Sequence, residues 1–318
     1  MTERVTVFGG SGFIGRYVVR RLAAEGAVVR VAVRDVEAAK FLRPMGTVGQ
    51  VVPMRAELRD PATIARAVAG ADRVVNLVGI LHEGGRQSFR AIQAEGPGLI
   101  GQAATAAGVE RLVHVSAIGA DAESASRYAR SKALGEAAIT EAFPGATILR
   151  PSLVFGPEDD FFNRFAQMTR LSPILPLIGG GHTRFQPVYV DDVAAAVVHA
   201  LGDPATAGRV YELGGPGIYS FRALLELMLA ETGRKRCLVS VPWGIARLQA
   251  RVAELLPAPP ITQDQVALLR HDNVCSGKLP GLDALGVAHP EPVESILPTY
   301  MDRFRTGGRF AKRPTPAA

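Results

Sequence analysis

The sequence predicts an α/β fold: a doubly wound parallel sheet with a smaller C-terminal domain built from insertions. Three observations predict it. Short apolar runs alternate with alanine-rich helical stretches through the first half of the chain. Those runs are apolar on both faces, as strands covered by helices on each side must be. After Arg150 the rhythm breaks into a Pro/Gly loop, "SPILPLIGGG", and returns only in "QPVYVDDVAAAVVHAL" and "RVYELGG".

Taken in order, strands are expected at Arg4–Phe8, Val28–Val33, Val51–Met54, Arg73–Leu77, Arg111–Val115 and Ala146–Arg150. Helices are expected at Phe13–Glu25, Pro61–Ala69, Phe89–Ala107 and Arg127–Ala142. "RDPAT" reads as a helix start, with Asp60 as N-cap and Pro61 at the first helical position. Thr262 and Gln265 in "ITQDQV" fit a capping box. The segment 185–215 is expected to rejoin the sheet of residues 1–155, leaving 156–184 and 216–305 as the smaller domain. Residues 306–318 read as a basic, disordered tail.

Composition excludes several classes of function. No apolar run approaches the roughly 18–20 residues that cross a bilayer. The start, "MTERVTVFGG", has no apolar h-region, so no signal peptide is expected. Cys237 and Cys275 stand far apart in no metal or redox spacing, as reduced thiols of a cytoplasmic compartment do. The net charge is +6, but 31 of the 36 basic residues are arginines scattered along the chain. No stacking aromatics accompany them, which argues against nucleic acid.

"VFGGSGFIGR" carries the first chemical signal. Gly9, Gly12 and Gly15 follow a strand and open a helix. This is the spacing that turns the chain tightly, lets backbone approach a pyrophosphate and packs helix on sheet in a Rossmann dinucleotide site. The phosphates would sit on free N–H groups at the helix start. An NAD site would place an acid at the end of the second strand; here "VAVRD" has Arg34, then Asp35. Arg34 and Arg16 suit the 2′-phosphate of NADP(H), while Asp35 keeps NAD(H) open.

"GGSGFIGR", "NLVG", "YARSK", "LRPSLVFGP" and "VYVDDVA", in that order, resemble the extended and atypical short-chain dehydrogenase/reductases over residues 4 to 215. The resemblance implies cofactor contacts at Gly9, Ser11, Gly12, Phe13, Ile14, Gly15, Arg16 and Arg34. It also implies adenine contacts at Glu57 and Leu58, a strand-end contact at Val78 and Gly79, and nicotinamide contacts at Pro151 and Val154. "SRYARSKALGE", "AFPGATILRPSLVFGPEDDFFNRFAQM" and "PITQDQVALLRHDNV" are similar to the NADPH-binding accessory subunits of respiratory complex I and their bacterial relatives. That subgroup implies a structural holder of cofactor, associated with complex I or another membrane-bound assembly, at the cytoplasmic face of the inner membrane.

Tyr128 and Lys132, one helical turn apart, are what carbonyl reduction or epimerase/dehydratase chemistry would use. Lysine lowers the phenol's pKa and holds the nicotinamide ribose, and the phenol acts as acid or base. The same pair would also serve in ribose binding without turnover. The hydroxyl that completes such a site is expected two residues beyond Ser116, where the chain has Ile118; Ser116 is the substitute. Gln93 stands where such enzymes often carry Asn.

Other features carry less. His114 and His199 read as core or edge residues, and Glu158, Asp159 and Asp160 as a solvated loop. Val241–Pro257 puts Ile245, Leu248, Val252 and Leu255 on one stripe beside Arg247 and Arg251. It reads as a helix capping the small domain, with a membrane-surface or partner helix as the alternative.

Overall fold

A computed structural model describes residues 2–85, 87–256, 259 and 261–308. The chain starts β1 (Arg4–Phe8), α1 (Phe13–Ala24), β2 (Val28–Val33), β3 (Val51–Arg55), α2 (Pro61–Val68) and β4 (Arg73–Asn76). It continues α3 (Gly96–Ala106), β5 (Arg111–Val115), α4 (Arg127–Ala142), β6 (Thr147–Pro151), β7 (Val154–Phe155), α5 (Phe161–Leu171) and β8 (Ile174–Ile178). Then come β9 (Arg184–Phe185), β10 (Val188–Tyr189), α6 (Val190–Gly202), β11 (Val210–Leu213) and β12 (Tyr219–Ser220). The last elements are α7 (Phe221–Thr232), β13 (Cys237–Val241), α8 (Trp243–Ala253), α9 (Gln263–Leu268) and α10 (Val293–Met301).

Two compact units divide the chain. The first comprises Met1–Pro151, Val190–Leu213 and Ser276–Ala288. Its sheet has seven strands in the order β11-β6-β5-β4-β1-β2-β3, all parallel. The α/β class and the doubly wound sheet expected from the alternating runs are therefore present. α2, α3 and α4 pack side by side, and α1 packs on α6. The core joins Phe8, Ile64, Val74, Ile100, Leu112 and Ile139. Arg21 grips Asp191 with both nitrogens, at 2.9 and 2.8 Å, fixing α6 on α1. The strand order reverses beside β1, and that crevice is where doubly wound sheets bind ligands.

Several boundaries differ from expectation: residues 152–155, 185–189 and 214–215 cluster with the second unit. Ser276–Ala288 clusters with the first unit, although the sequence put it in the smaller domain. It covers the open edge of the sheet: the Glu212 N–H donates to the Pro280 carbonyl at 3.1 Å, and Ser276 N–H to Glu212 Oε2 at 2.5 Å. Edge strands leave backbone groups unpaired, so a returning segment is held there. The helix expected over Phe89–Ala107 opens instead as a π-helical turn, Arg90–Glu95, before α3. There the Gln93 carbonyl presses so close to Gly135 of α4 that a Cβ would lie 1.9 Å away.

The second unit comprises Ser152–Tyr189, Gly214–Cys275 and His289–Ala318. β8 and β13 pair in parallel, and Phe162, Leu175, Leu177, Phe221 and Leu224 form the core with α10. Asp159 corrects the solvated-loop reading. It is buried, accepting from the N–H groups of Phe162 and Asn163 at 2.6 and 3.2 Å and from the Tyr300 hydroxyl at 2.7 Å. Burial pushes its carboxyl up, against those donors. Thr262 and Gln265 form the expected capping box. α8 turns Ala246 and Ala250 inward against Ile178 and Val266, with Trp243 partly buried against the same cluster. Ile245, Leu248 and Val252 face solvent. Pro257 and the tail residues 309–318 lie outside the described residues.

Candidate functional site

The glycine loop joins β1 to α1 in the first unit. Gly9 has φ +76°, and a methyl group there would press on Leu77 and Val78 at 3.2 Å. Only glycine takes that conformation without strain. Gly15 is fixed by proximity: a Cβ would fall 2.3 Å from the Gly9 carbonyl oxygen. Gly12 differs, since its Cβ would meet only that same oxygen, at 3.2 Å. Its backbone is extended, α1 has no side-chain cap and no acid in its first turn. Ser11, Phe13 and Ile14 stand beside it, partly exposed. Such a helix start offers donors and a positive dipole end to an anion.

Arg34 lies exposed just beyond β2. In the amide orientation that satisfies both groups, the Gln87 oxygen accepts from its guanidinium. Asp35 is committed locally, accepting from Ala38 N–H at 3.0 Å. Arg16 lies over the Phe41 ring, 5.2 Å from its centroid. Beyond β3, the Glu57 N–H donates to Thr63 Oγ1 at 2.9 Å, and its carboxylate pairs with Arg59. Leu58 is turned into the core, 6% exposed.

At the end of β4, Val78 N–H donates to Asn76 Oδ1 at 3.1 Å. The Asn76 amide nitrogen therefore faces His114 Nδ1, 3.1 Å away, which leaves the imidazole proton on Nε2. Among the described residues, that Nε2 has no partner. Burial, then the charge of Lys132, holds His114 down to about 3, so it stays neutral. It is a core residue, as expected; His199, on the exposed last turn of α6, is an edge one.

α4 supplies Tyr128 and Lys132. Ser126 caps it, accepting from Ala129 N–H at 3.2 Å. Lys132 is buried, and its Nζ donates to the Val115 carbonyl at 3.3 Å. A methyl on Gly79 would lie 3.3 Å from that nitrogen, so the absent side chain gives it room. Burial drives Lys132 down to about 8, against a smaller upward pull from Glu136. Its Nζ sits 5.9 Å from the centroid of the Tyr128 ring, and Phe89 meets that ring edge-on.

Beside Lys132, at the end of β5, the Ser116 hydroxyl is buried and has no partner among the described residues. An orphaned buried hydroxyl costs about 1–3 kcal/mol, and a ligand group would relieve it. Ile118 donates its N–H to the Pro151 carbonyl at 3.0 Å and offers no hydroxyl. Gln93 is a tie: its Oε1 accepts from Ile80 N–H at 2.7 Å, and its Nε2 donates to Ser131 Oγ at 2.9 Å. The β4 loop is thus fastened to α4. The roles of Gln87 and Ser131 were not legible in the sequence, where neither lies near its partner. Val154, the remaining residue of the set, lies in the second unit.

Gly9, Gly12, Gly15, Arg16, Arg34, Val78, Gly79, Ser116, Tyr128, Lys132 and Pro151 all stand at the carboxyl ends of the parallel strands or on the helices that follow. The uncapped helix start, the open face of Gly12 and the orphaned Ser116 fit a dinucleotide. Among the described residues no group of three His, Cys, Asp or Glu side chains is placed to hold a metal.

A family model, NAD dependent epimerase/dehydratase family, matches residues 5–214. The chain is 38% identical over 317 residues to the Arabidopsis thaliana NADH dehydrogenase (ubiquinone) 1 alpha subcomplex subunit 9, mitochondrial, covering 95% of this chain and 78% of that one. It is 33% identical over 194 residues to the ceramide reductase of Caulobacter vibrioides, covering 61% of this chain and 59% of that one. The Citrobacter sp. triphenylmethane reductase complexed with NADP(H) shares the fold, with a TM-score of 0.74 at 19% identity, over 93% of this chain and 99% of that one.

Proposed function

Because the chain belongs to the NAD dependent epimerase/dehydratase family, we propose that it holds NADP(H) as an accessory, non-catalytic member of a complex I-type assembly. The observation that carries this reading is Ile118, bonded through its N–H to Pro151, two residues beyond the orphaned hydroxyl of Ser116. An apolar side chain at that place removes a donor whose loss typically costs on the order of 10²–10³ in rate. The Arabidopsis thaliana relative, similar over 95% of this chain, is named as a subunit of that kind. Peripheral association at the cytoplasmic face of the inner membrane follows from the same reading.

The α1 N-terminus would hold the pyrophosphate. Arg34, with Arg16 beside it, would hold the 2′-phosphate by charge-assisted hydrogen bonds. The preference for NADP(H) over NAD(H) rests on Arg34 and Arg16; the Ala38 N–H engages only Oδ1 of Asp35. Lys132 and Tyr128 would hold the nicotinamide ribose, and Ser116 would find a partner. When bound, the group would supply a hydride donor. Protein purified without added nucleotide should carry NADP(H), and its redox state should not change with small carbonyl compounds.

A second reading is favoured by Lys132 itself, held down to about 8 with its Nζ over the Tyr128 ring. Here Tyr128 donates its phenolic proton to a substrate carbonyl oxygen and Ser116 replaces the missing hydroxyl. Steady NADPH oxidation by the wild type with a carbonyl substrate, abolished by Tyr128→Phe, would establish it over the first.

A further inference from the structure

Ile245, Leu248, Val252, Leu255 and Leu256 are each more than half exposed, Leu255 reaching 84%. Ile245, Leu248 and Val252 lie along the outward side of α8, and Leu255 and Leu256 just beyond its end. The opposite side is anchored by Ala246 and Ala250, so this apolar face is presented by a seated helix. Single exposed apolar residues need no explanation, but five on one stripe do.

The surrounding charge selects the occupant. From Lys235 to Ala253 the chain has two lysine or arginine residues on each side of Trp243 and not one acid. Arg247 and Arg251 are exposed, one turn apart, beside the stripe. The first acid, Glu254, is held by the Gln263 N–H and side-chain amide, both at 2.8 Å. A second copy meeting this helix through the same face would bring no carboxylate to either arginine. A bilayer with anionic headgroups would bring both an apolar layer and negative charge. The helix has 11 residues, about 16 Å at 1.5 Å per residue, and no described helix is long and apolar enough to cross a membrane. It suits a helix lying in the headgroup plane.

We infer that the outward face of α8 docks on an anionic lipid bilayer, with Leu248 and Val252 in the acyl boundary and Arg247 and Arg251 among the headgroups. The inference locates the peripheral association named above, but it does not depend on cofactor or on any other subunit. A failure in cofactor binding would leave it standing, and the reverse holds too.

Flotation of the full chain with lipid vesicles tests it. Vesicles with about one third phosphatidylglycerol should bind at least tenfold more tightly than pure phosphatidylcholine, and added salt should weaken the binding. Leu248→Glu with Val252→Glu should reduce partitioning at least about tenfold, with NADPH affinity and thermal unfolding unchanged. Arg247→Gln with Arg251→Gln should bring anionic vesicles close to the neutral value. No binding to either vesicle, equal binding to both, or binding unchanged in the glutamate variant would overturn the inference. So would self-association that the glutamate variant abolishes without any vesicle binding, which would assign the face to a second copy.

Discussion

The starts of α1 and α4 differ in a feature that bears on ligand binding. α4 begins at Ser126, whose hydroxyl satisfies the Ala129 N–H, and α2 begins in the same way at Asp60. α1 begins at Gly12 with no side-chain cap. A cap stabilises a helix by about 0.5–2 kcal/mol, so leaving one out costs the apo protein that much. α8 and α10, with Pro242 and Pro292 at their N-caps, lack a side-chain cap as well, but neither follows a glycine loop. α2 and α4 satisfy one of their own first donors, while α1 keeps its donors available beside the glycine loop.

The sharpest way to break this comparison is to give α1 the cap it lacks. Gly12→Asp suits the extended backbone there and would place a carboxylate on the free N–H groups. Affinity for NADPH and NADH should fall by more than about a hundredfold, as charge and cap both oppose phosphate. The apo protein should unfold at an unchanged or slightly higher temperature. Calorimetry and thermal unfolding of one preparation check both, and retained binding would place the phosphates elsewhere.

A second effect belongs to α4. The folded-state pKa of Lys132 is about 8, against an ordinary value of 10.5. Between those values the unfolded chain holds a proton that the folded protein lacks, so this residue's contribution to stability rises with pH. It is complete above the higher value and lost as pH falls through the lower. Stability of the wild type relative to Lys132→Met should therefore increase by up to roughly 3 kcal/mol from pH 8 to 10.5. Denaturant titrations across that window measure it, and a flat difference would mean the ammonium is better solvated than its burial implies.

Nucleotide choice comes next in size. Arg34→Ala should cost about tenfold in NADPH affinity, roughly 1.4 kcal/mol, while sparing NADH. Equal calorimetric affinities for the two nucleotides in the wild type would remove Arg34 from the 2′-phosphate. The smallest effect is expected at Ser126→Ala: about 1 kcal/mol of stability, with cofactor affinity nearly unchanged. A large loss of affinity there would blur the distinction between the two helix starts.

Much of the fold was legible because its signals are local. β1, β2, β5 and α4 fall on the residues expected, since apolar runs, helix starts and turn residues act within a few positions. The Asp60 cap and the Thr262–Gln265 box were equally readable. Gln93 was picked out only as a departure from a familiar pattern; its tie between Ile80 and Ser131 spans separations that no spacing rule reaches. Asp159 misled for the same reason, because its partner Tyr300 is 141 residues away.

The sequence by itself determined the parallel sheet, the glycine loop and the pairing of Tyr128 with Lys132 on one helix face. Each depends on periodicity or on backbone sterics within a short window. Tertiary structure alone decided which polar groups are buried and what they meet. It left Ser116 without a partner, sealed Lys132 against Val115 and Gly79, and turned Leu58 into the core. It also decided that α8 would seat Ala246 and Ala250 and leave Ile245, Leu248 and Val252 outside. Burial is a property of what packs against a residue, and those neighbours come from distant parts of the chain.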